Sequence, residues 1–400
     1  MEKNNKNLNV PNLRFPEFSG EWERCKVKDF TKVVAGATPS TSNKEYWGGD
    51  IRWMNSGELN LKRVYEVQGR ITQLGYEKTS TKIIPPQSVL IGLAGQGKTR
   101  GTAAINYVEL CTNQSIASIL PSDKYYPEFL YQNIESRYKE LRDISSGDGG
   151  RGGLNLQMIY NLNIPYCSIS EQRKIGDFLC LLDQRIETQR KIIEKYESLI
   201  RGLINSVNKG EICKCKATAL KDVLTEVHEK NVENHEVCSV SVSQGVINQI
   251  DYLGRSFAAK EVLHYNVVNY GDIVYTKSPT GEFPYGIVKR SNLDRLVAVS
   301  PLYGVYRPVN DYVGIYLHLY FKSPVNTKNY LHRLIQKGAK NTINITNQHF
   351  LDNQILIPEH GWLQIIVNAA STIEKMIQIE CDALLWLERQ KNYLLSKMFI

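Results

Sequence analysis

Two long stretches of this chain share one hydrophobic period, and that period constrains the fold more than any other feature. After Pro165, steps that alternate between three and four residues reach nine positions from Leu179 to Val207, eight of which are apolar. A mean spacing of 3.5 residues is typical of the seam of a coiled coil. This seam is narrower than the apolar face of a helix in a globular domain. The stretch therefore predicts a long helix that pairs with another helix.

The same pattern returns about 190 residues further along the chain, from Ala370 to Met398, where seven of nine positions are apolar. Its polar exceptions are Glu380, which matches Gln189 in the first stretch, and Lys391. An Ile-Pro pair precedes each stretch, and VKDF at 27–30 is matched by LKDV at 220–223. The chain is therefore predicted to be a tandem duplication, each copy being a globular part followed by a long helix.

Two similar copies in one chain form an internal pseudo-dimer, which is most simply arranged about an approximate two-fold axis. We therefore expect the two helices to pair antiparallel. At the usual helical rise the first seam is roughly 40 Å long, so the pair would hold the globular parts a fixed distance apart. The predicted seam residues are Leu179, Leu182, Ile186, Ile193, Tyr196, Ile200, Leu203, Ile373, Ile377, Leu384, Leu387 and Leu394.

The globular parts have short runs of aromatic and β-branched residues between Gly and Pro, which predict mostly-β domains. The predicted fold class is α+β, with two such domains joined by two long antiparallel helices. The predicted boundaries are a disordered leader at 1–12, a first domain at 13–168, a helix at 169–210, a second domain at 211–360 and a helix at 361–400.

Composition limits the classes of function. The net charge is +8, and residues 262–347 carry ten basic against four acidic side chains, which suits a polyanionic partner. No apolar stretch is long enough for a membrane span or resembles a signal peptide, so we expect a cytoplasmic protein without a membrane partner. The eight cysteines and seven histidines lack zinc-ligand spacing, so we expect reduced thiols and no metal site.

Residues 89–101 read VLIGLAGQGKTRG and contain the complete G-x-x-x-x-G-K-[ST] pattern of a phosphate-binding loop. Such a loop needs a helix that begins at the Lys-Thr pair and directs its N-terminus at the anion. Here Gly101 and Thr102 occupy the place of the first helical turn, and the YVELCT that follows is typical of a strand. The matching stretch of the second copy, DIVYTKSPTGEFPYG, lacks the pattern. We interpret both stretches as hairpins with polar tips.

Other catalytic patterns are weaker. The SPLY at 300–303 differs from the S-P-P-Y of amino-methyltransferases at Leu302, and no metalloprotease motif or nucleophile elbow occurs. The chain is therefore expected to recognise a ligand and to carry no catalytic residue.

Two similar domains with a basic bias and polar hairpins suit a long repetitive ligand, and duplex DNA is the partner that we predict. Its groove faces recur about every 34–36 Å, and Gln, Lys, Arg, Thr and Ser can contact both bases and phosphates. The predicted DNA contacts are Thr38, Ser40, Lys44, Tyr46, Arg52, Gln96, Lys98, Thr99, Arg100 and Arg151 in the first copy, and Lys277, Ser278, Thr280, Tyr285, Lys289, Lys337, Lys340 and Asn341 in the second.

Several motifs, in order along the chain, resemble the specificity subunits of type I restriction–modification enzymes. They are PNLRFPEF at 11–18, GATPS at 36–40, YWG at 46–48, and the SEQRKI that opens the first long helix. The second helix opens with HGWLQII instead, which departs from the first copy.

This resemblance implies two target-recognition domains, each of which reads one half of a bipartite, asymmetric DNA sequence. It implies that the helices fix the unread gap and dock two copies of a methyltransferase subunit, which bring S-adenosylmethionine and modify adenine. Restriction subunits that need ATP and Mg²⁺ would complete the complex, and this chain would bind no cofactor itself. The alternatives are an NTPase that uses Lys98 and Thr99, and a stand-alone DNA-binding regulator.

Overall fold

In a computed structural model the chain forms two compact units. The first consists of Met1–Arg190 and Asp382–Ile400, and the second of Lys191–Cys381. The structure describes residues 9–95, 97–145, 153–253, 261–334, 336–337 and 343–400. Each unit thus contains one globular part and a segment of each of two long helices.

The globular part of the first unit is mostly short strands with a few short helices. In chain order they are β1 Glu23–Lys26, β2 Val33–Ala35, β3 Trp47–Met54, β4 Arg63–Val64, β5 Arg70–Ile71, α1 Gln73–Glu77, β6 Val89–Gly92, β7 Ala103–Asn106, β8 Cys111–Thr112, β9 Ile116–Ile119, α2 Pro127–Ser136, α3 Tyr138–Ile144, α4 Leu156–Tyr160 and β10 Asn163–Tyr166. The first long helix, α5, is Ile169–Asn208.

The globular part of the second unit has the same character. Its elements are β11 Cys215–Ala219, β12 Leu224–Glu226, β13 Cys238–Ser241, β14 Gly245–Asn248, α6 Gln249–Leu253, β15 Asn266–Val268, β16 Ile273–Thr276, β17 Ile287–Arg290, β18 Val297–Val299, β19 Gly304–Pro308, α7 Asp311–Phe321, α8 Pro324–His332, β20 Gln336–Lys337, β21 Ile343–Asn344, α9 Asn347–Asp352 and β22 Gln354–Pro358. The second long helix, α10, is His360–Met398.

Each unit is centred on a sheet with the same strand plan. The sheet of the first unit has the order β2-β9-β6-β7-β4, and that of the second has the order β12-β19-β16-β17. In both, an antiparallel hairpin, β6–β7 or β16–β17, supplies strands whose residues are all buried. Val89 faces one apolar cluster and Leu90 another, which explains why these strands read as continuous apolar runs rather than as alternating ones.

The duplication extends to the elements that precede the long helices. An antiparallel ribbon, β1–β10 in one unit and β11–β22 in the other, contains the two Ile-Pro pairs. The matched VKD and LKD motifs form equivalent 3₁₀ turns, at Val27–Asp29 and Leu220–Asp222. Both units therefore repeat one plan, and the predicted α+β class with two long helices is confirmed.

The seam residues pack differently along each helix. In the first unit Leu179, Leu182 and Ile186 lie in one cluster with the end of α10, including Leu394 and the partly buried Leu384 and Leu387. In the second unit Ile200 and the partly buried Leu203 pack with the start of α10, including Ile373 and Ile377. Ile193 and Tyr196 are half-buried. Within each unit the two helix segments run antiparallel, as the duplication predicted.

Candidate nucleic-acid interface

The loop that matches the phosphate-binding pattern connects two antiparallel strands. It leaves β6 after Gly92, and β7 begins at Ala103, so no helix starts at Lys98 and Thr99. Gly95, Gly97 and Gly101 have positive φ angles of 127°, 90° and 82°, a conformation that side chains disfavour. The loop is a hairpin tip, and the arrangement that directs a helix N-terminus at a phosphate is absent from this described segment.

Helix α3 holds this tip through the carbonyl oxygens of the loop. The Tyr138 hydroxyl donates to the Lys98 carbonyl at 3.3 Å, and Arg142 Nη1 donates to the Gly97 carbonyl. Thr102 Oγ1 also donates to the Lys98 carbonyl, at 2.6 Å. The loop backbone is therefore fixed while the Lys98 side chain stays exposed, and Thr99 and Arg100 are half-buried beside it.

A second loop of the first unit, residues 36–46, is braced by two tryptophans. Trp53 Nε1 donates to the Ala37 carbonyl at 3.0 Å, Trp47 Nε1 donates to the Ser40 carbonyl at 3.1 Å, and the two rings meet edge to face at 5.0 Å. A Cβ on Gly36 would lie 1.8 Å from the Thr112 carbonyl oxygen, so the motif needs glycine there. The GATPS and YWG motifs thus build a rigid frame that leaves Thr38, Ser40 and Lys44 exposed and Tyr46 half-buried.

The two loops approach each other through the turn that precedes β9. Thr38 Oγ1 donates to Gln114 Oε1 at 2.5 Å, and the Leu93 amide at the base of the hairpin tip donates to the Ser115 carbonyl at 2.8 Å. Gln114 is exposed, and it is not among the predicted contacts because no motif contains it. The structure therefore brings Thr38 and Gln114 together with the start of the hairpin loop.

Arg52 is engaged within the protein. Its Nε donates to Glu66 Oε1 at 2.9 Å, and Glu66 also pairs with Arg70. Hydrogen bonds from Arg52 and the Val67 amide lower the pKa of Glu66 to about 2, so this carboxylate is ionised at neutral pH. A DNA contact by Arg52 would have to compete with this pair.

The second unit presents the β16–β17 hairpin in the matching place of its sheet. Lys277, Ser278 and Thr280 are exposed at its tip, where Thr280 bridges to Phe283. Tyr285 is half-buried, its ring 5.8 Å from that of His332. Gly286 has a φ of 104°, and a Cβ there would lie 2.0 Å from the Thr276 carbonyl oxygen. The tip is therefore shaped by backbone contacts, as in the first unit, and carries polar side chains.

Lys289 corrects the prediction for this hairpin, because it does not lie at the exposed tip. It lies on strand β17 opposite Val274 and is only 4% exposed. The side chains that bury it come from parts of the chain distant in sequence, so the local pattern gave no sign of this. Gln96, Arg151, Lys340 and Asn341, and the side chain of Lys337, lie outside the described part of the chain.

The SEQRK motif holds the segment that precedes β1 against the first long helix. Glu171 is buried and accepts hydrogen bonds from Arg14 Nε at 2.7 Å and from Trp22 Nε1 at 3.3 Å. Phe15 meets Phe178 edge to face at 5.8 Å. The motif and PNLRFPEF therefore pack against each other. Within the predicted leader, the Asn9 carbonyl accepts a hydrogen bond from the Trp22 amide, and residues 1–8 lie outside the described part of the chain.

In the first unit a buried charged layer connects the globular part to both long helices. Arg63 pairs with Glu128 at 2.7 Å and with Asp183 at 2.8 Å, and Lys391 pairs with Asp183 at 2.6 Å and with Glu135 at 2.7 Å. Every one of these side chains is under one-fifth exposed. This layer fixes the globular part on the helix pair by directional contacts.

The helix surface of the first unit also exposes large apolar side chains. Leu181 is 61% exposed, Trp386 is 69% exposed, and Leu385 is exposed beside it. A groove of about 660 Å³ lies between the helices and is lined by Phe178, Leu181 and Leu394 among others. The groove brings several apolar side chains together at the surface, which is typical of a protein interaction site.

Comparisons with known proteins match this chain to specificity subunits. Residues 19–197 match the family described as "Type I restriction modification DNA specificity domain". The chain is 35% identical over 191 residues to the type I restriction enzyme MjaIX specificity subunit of Methanocaldococcus jannaschii, covering 46% of this chain and 43% of the relative. It is 29% identical over 199 residues to the HindI specificity subunit of Haemophilus influenzae, covering 48% and 42%. The matches span less than half of each relative's length.

Two solved structures share the fold over nearly the whole chain. One is the S subunit of a type I restriction–modification system from M. genitalium, with a TM-score of 0.60 and 12% identity, covering 98% of this chain and 99% of that one. The other comes from a study of complex assembly in the type I R-M system, with a TM-score of 0.53 and 14% identity, covering 94% and 97%. Within the described residues, no helix is both long and apolar enough to cross a membrane.

Proposed function

We propose that this chain is the DNA-reading subunit of a type I restriction–modification complex, because residues 19–197 match the type I restriction modification DNA specificity domain. Each unit reads one half of a bipartite, asymmetric target in duplex DNA. The observation that carries this proposal is the repeated hairpin, whose exposed polar tip occupies the same place in the sheet of each unit.

In the first unit, Lys98 is suited to a phosphate contact, because it is an exposed cation on a backbone that is held rigid. Gln114 and Thr38 offer amide and hydroxyl groups that can hydrogen-bond base edges in the major groove. In the second unit, Lys277, Ser278 and Thr280 combine the same chemistry. The units differ in these residues, which is what an asymmetric target requires.

The long helices serve two purposes in this proposal. They set the number of unread base pairs between the half-sites, and their exposed apolar side chains, Leu181 and Trp386 among them, dock a methyltransferase subunit. Two such subunits and the restriction subunits would complete the complex. They would supply S-adenosylmethionine, ATP and Mg²⁺ chemistry, while this chain contributes recognition without catalysis.

The NTPase alternative has less support, because strand β7 follows the loop where a phosphate-binding helix would be needed. A stand-alone regulator would not need the exposed apolar helix surface, whereas a docked subunit does.

Co-expression with an adenine methyltransferase subunit, followed by methylome sequencing, tests the proposal. We expect methylation at a two-part motif with an unread gap, and a changed gap when each long helix is lengthened by one heptad. Methylation at a continuous motif, or an unchanged gap, would contradict it. Binding of ATP by the purified chain that Lys98→Ala abolishes would favour the NTPase instead.

A further inference from the structure

A buried lysine without a partner lies at the edge of the second unit's sheet. Lys289 is 4% exposed, and no described residue forms an ion pair or hydrogen bond with its ammonium group. The matching strand of the first unit, β7, reads AAIN and carries no charge. A buried, unpaired charge is unfavourable, so its presence on a buried strand calls for a physical explanation.

The surroundings of Lys289 make its charge less favourable still. Burial lowers the pKa of Lys289 to about 8, and the neighbouring ammonium of Lys322 contributes to that shift. Lys322 has a partner, Glu374, at 3.2 Å, with both side chains partly exposed. The nearby Arg290 is also paired, with Asp311 and Asn292. Of these three cations, Lys289 is thus the one without a counter-charge.

Two cavities within the second unit share Lys289 and Lys322 in their walls. One, of about 460 Å³, is bounded by the β13–β14 turn, by His318 on α7 and by Ile377 on α10. The other, of about 360 Å³, is bounded by Ile200 on α5. Together these cavities, which we call the Lys289 crevice, have two ammonium groups and both polar and apolar side chains in their walls.

His318 adds a neutral hydrogen-bond donor to this crevice. Burial and the neighbouring cations Lys289, Lys322 and Arg290 lower the pKa of His318 to about 3, so the imidazole is neutral. Its Nδ1 accepts a hydrogen bond from the Arg290 amide at 3.3 Å. The proton of the neutral ring is therefore on Nε2, which can donate.

We propose that the Lys289 crevice binds a small oxyanion of the phosphate class, held by Lys289 and Lys322 with His318 as a neutral donor. The anion would supply the negative counter-charge that is missing beside Lys289. This site is separate from the DNA-reading tips and does not depend on the proposed function.

Thermal unfolding of the full chain in phosphate and in chloride, at equal ionic strength, tests the proposal. We expect phosphate to raise the Tm saturably. Lys289→Met should raise the Tm in chloride, because it removes an unpaired buried charge, and should abolish the phosphate effect. Lys328→Met, which changes an exposed lysine on α8 of the same unit, should leave the phosphate effect intact. No effect of phosphate on the wild type, or an equal effect on Lys289→Met, would overturn the proposal.

Three more measurements probe the same crevice. Lys322→Gln, at a partly exposed site, should weaken phosphate binding at least tenfold, and it tests the site even if Lys289→Met fails to fold. Sulfate affinity should fall as pH rises through about 8, since Lys289 then loses its proton. The other charged groups that line the crevice are Lys322, Arg290, Arg201, Glu197, Glu282 and Glu374. If a short DNA duplex raises the Tm through Lys289 but inorganic phosphate and AMP do not, the crevice is part of the DNA site and the proposal is wrong.

Discussion

Asp183 on the first long helix and Lys391 on the second approach to 2.6 Å, and each side chain is only 12% exposed. Lys391 is one of the polar exceptions in the hydrophobic seam, and its position in the repeat corresponds to Ile200, which is buried among apolar residues in the second unit. The two helix segments of the first unit are thus joined by a charged layer where those of the second unit pack through apolar contacts.

Removing Lys391 should therefore destabilise the first unit strongly. Lys391→Met leaves Asp183 and Glu135 short of a buried partner, and breaking a buried ion pair on one side costs about 3–5 kcal/mol. Glu388→Gln is the control: it removes an exposed pair with Arg190, and such pairs contribute about 0–1 kcal/mol. Urea unfolding of the full chain measures both, and equal losses would contradict the importance of the buried layer.

The same layer predicts a dependence on pH. Burial alone would raise the pKa of Glu135, but Lys391 and Lys62 outweigh it and hold the pKa below its ordinary value of 4.5. Because the pKa is lowered in the folded state, the stabilisation is present above 4.5 and is lost as pH falls through the lower folded value. Unfolding free energies measured from pH 6 to pH 3 should fall less steeply for Glu135→Gln than for the wild type. Parallel curves would show that Glu135 does not contribute.

Lys98 should contact DNA phosphate without binding nucleotide. Lys98→Ala should weaken DNA binding by the assembled complex similarly for all sequences and reduce the slope of log affinity against log salt by about one. Lys28→Ala, which changes an exposed lysine in a 3₁₀ turn of the same unit, should leave that slope unchanged. A salt series of binding isotherms distinguishes them, and an unaltered slope for Lys98→Ala would remove this residue from the interface.

Trp386 should contribute to docking of the methyltransferase subunit. Trp386→Ser removes a large aromatic side chain that is 69% exposed, so it should weaken binding of the partner without unfolding the chain. Leu302→Ser, at a position 76% exposed in the second unit, is the control. Co-purification of the methyltransferase subunit measures docking for both variants, and their unfolding measures stability. Equal recovery of the partner by Trp386→Ser and the wild type would place the docking surface elsewhere.

The sequence predicted the parts of the fold that depend on local periodicity. The predicted helices at 169–210 and 361–400 differ by at most two residues from Ile169–Asn208 and His360–Met398, because a sustained heptad pattern marks a helix clearly. The hairpin that contains residues 89–101 was also recognised, since Gly101 and Thr102 exclude a helix after the lysine.

The sequence could not predict contacts between distant residues. The burial of Lys289 depends on β13, α7 and α10, which are far from it in the chain. The pairing of Lys391 with Asp183 spans 208 residues, and nothing near either residue indicates it. Gln114 is significant only because folding brings it to Thr38. Side-chain surroundings of this kind are set by tertiary packing, whereas helix and strand periods are set locally.

The most direct measurement exchanges residues 13–168 for those of a relative with a different target and maps the methylome of cells that co-express the methyltransferase subunit. Because each unit has its own sheet and its own polar hairpin tip, we predict that one half of the methylated motif changes while the other half and the gap stay the same. A change in both halves, or in neither, would contradict the account that this chain reads DNA with two independent units.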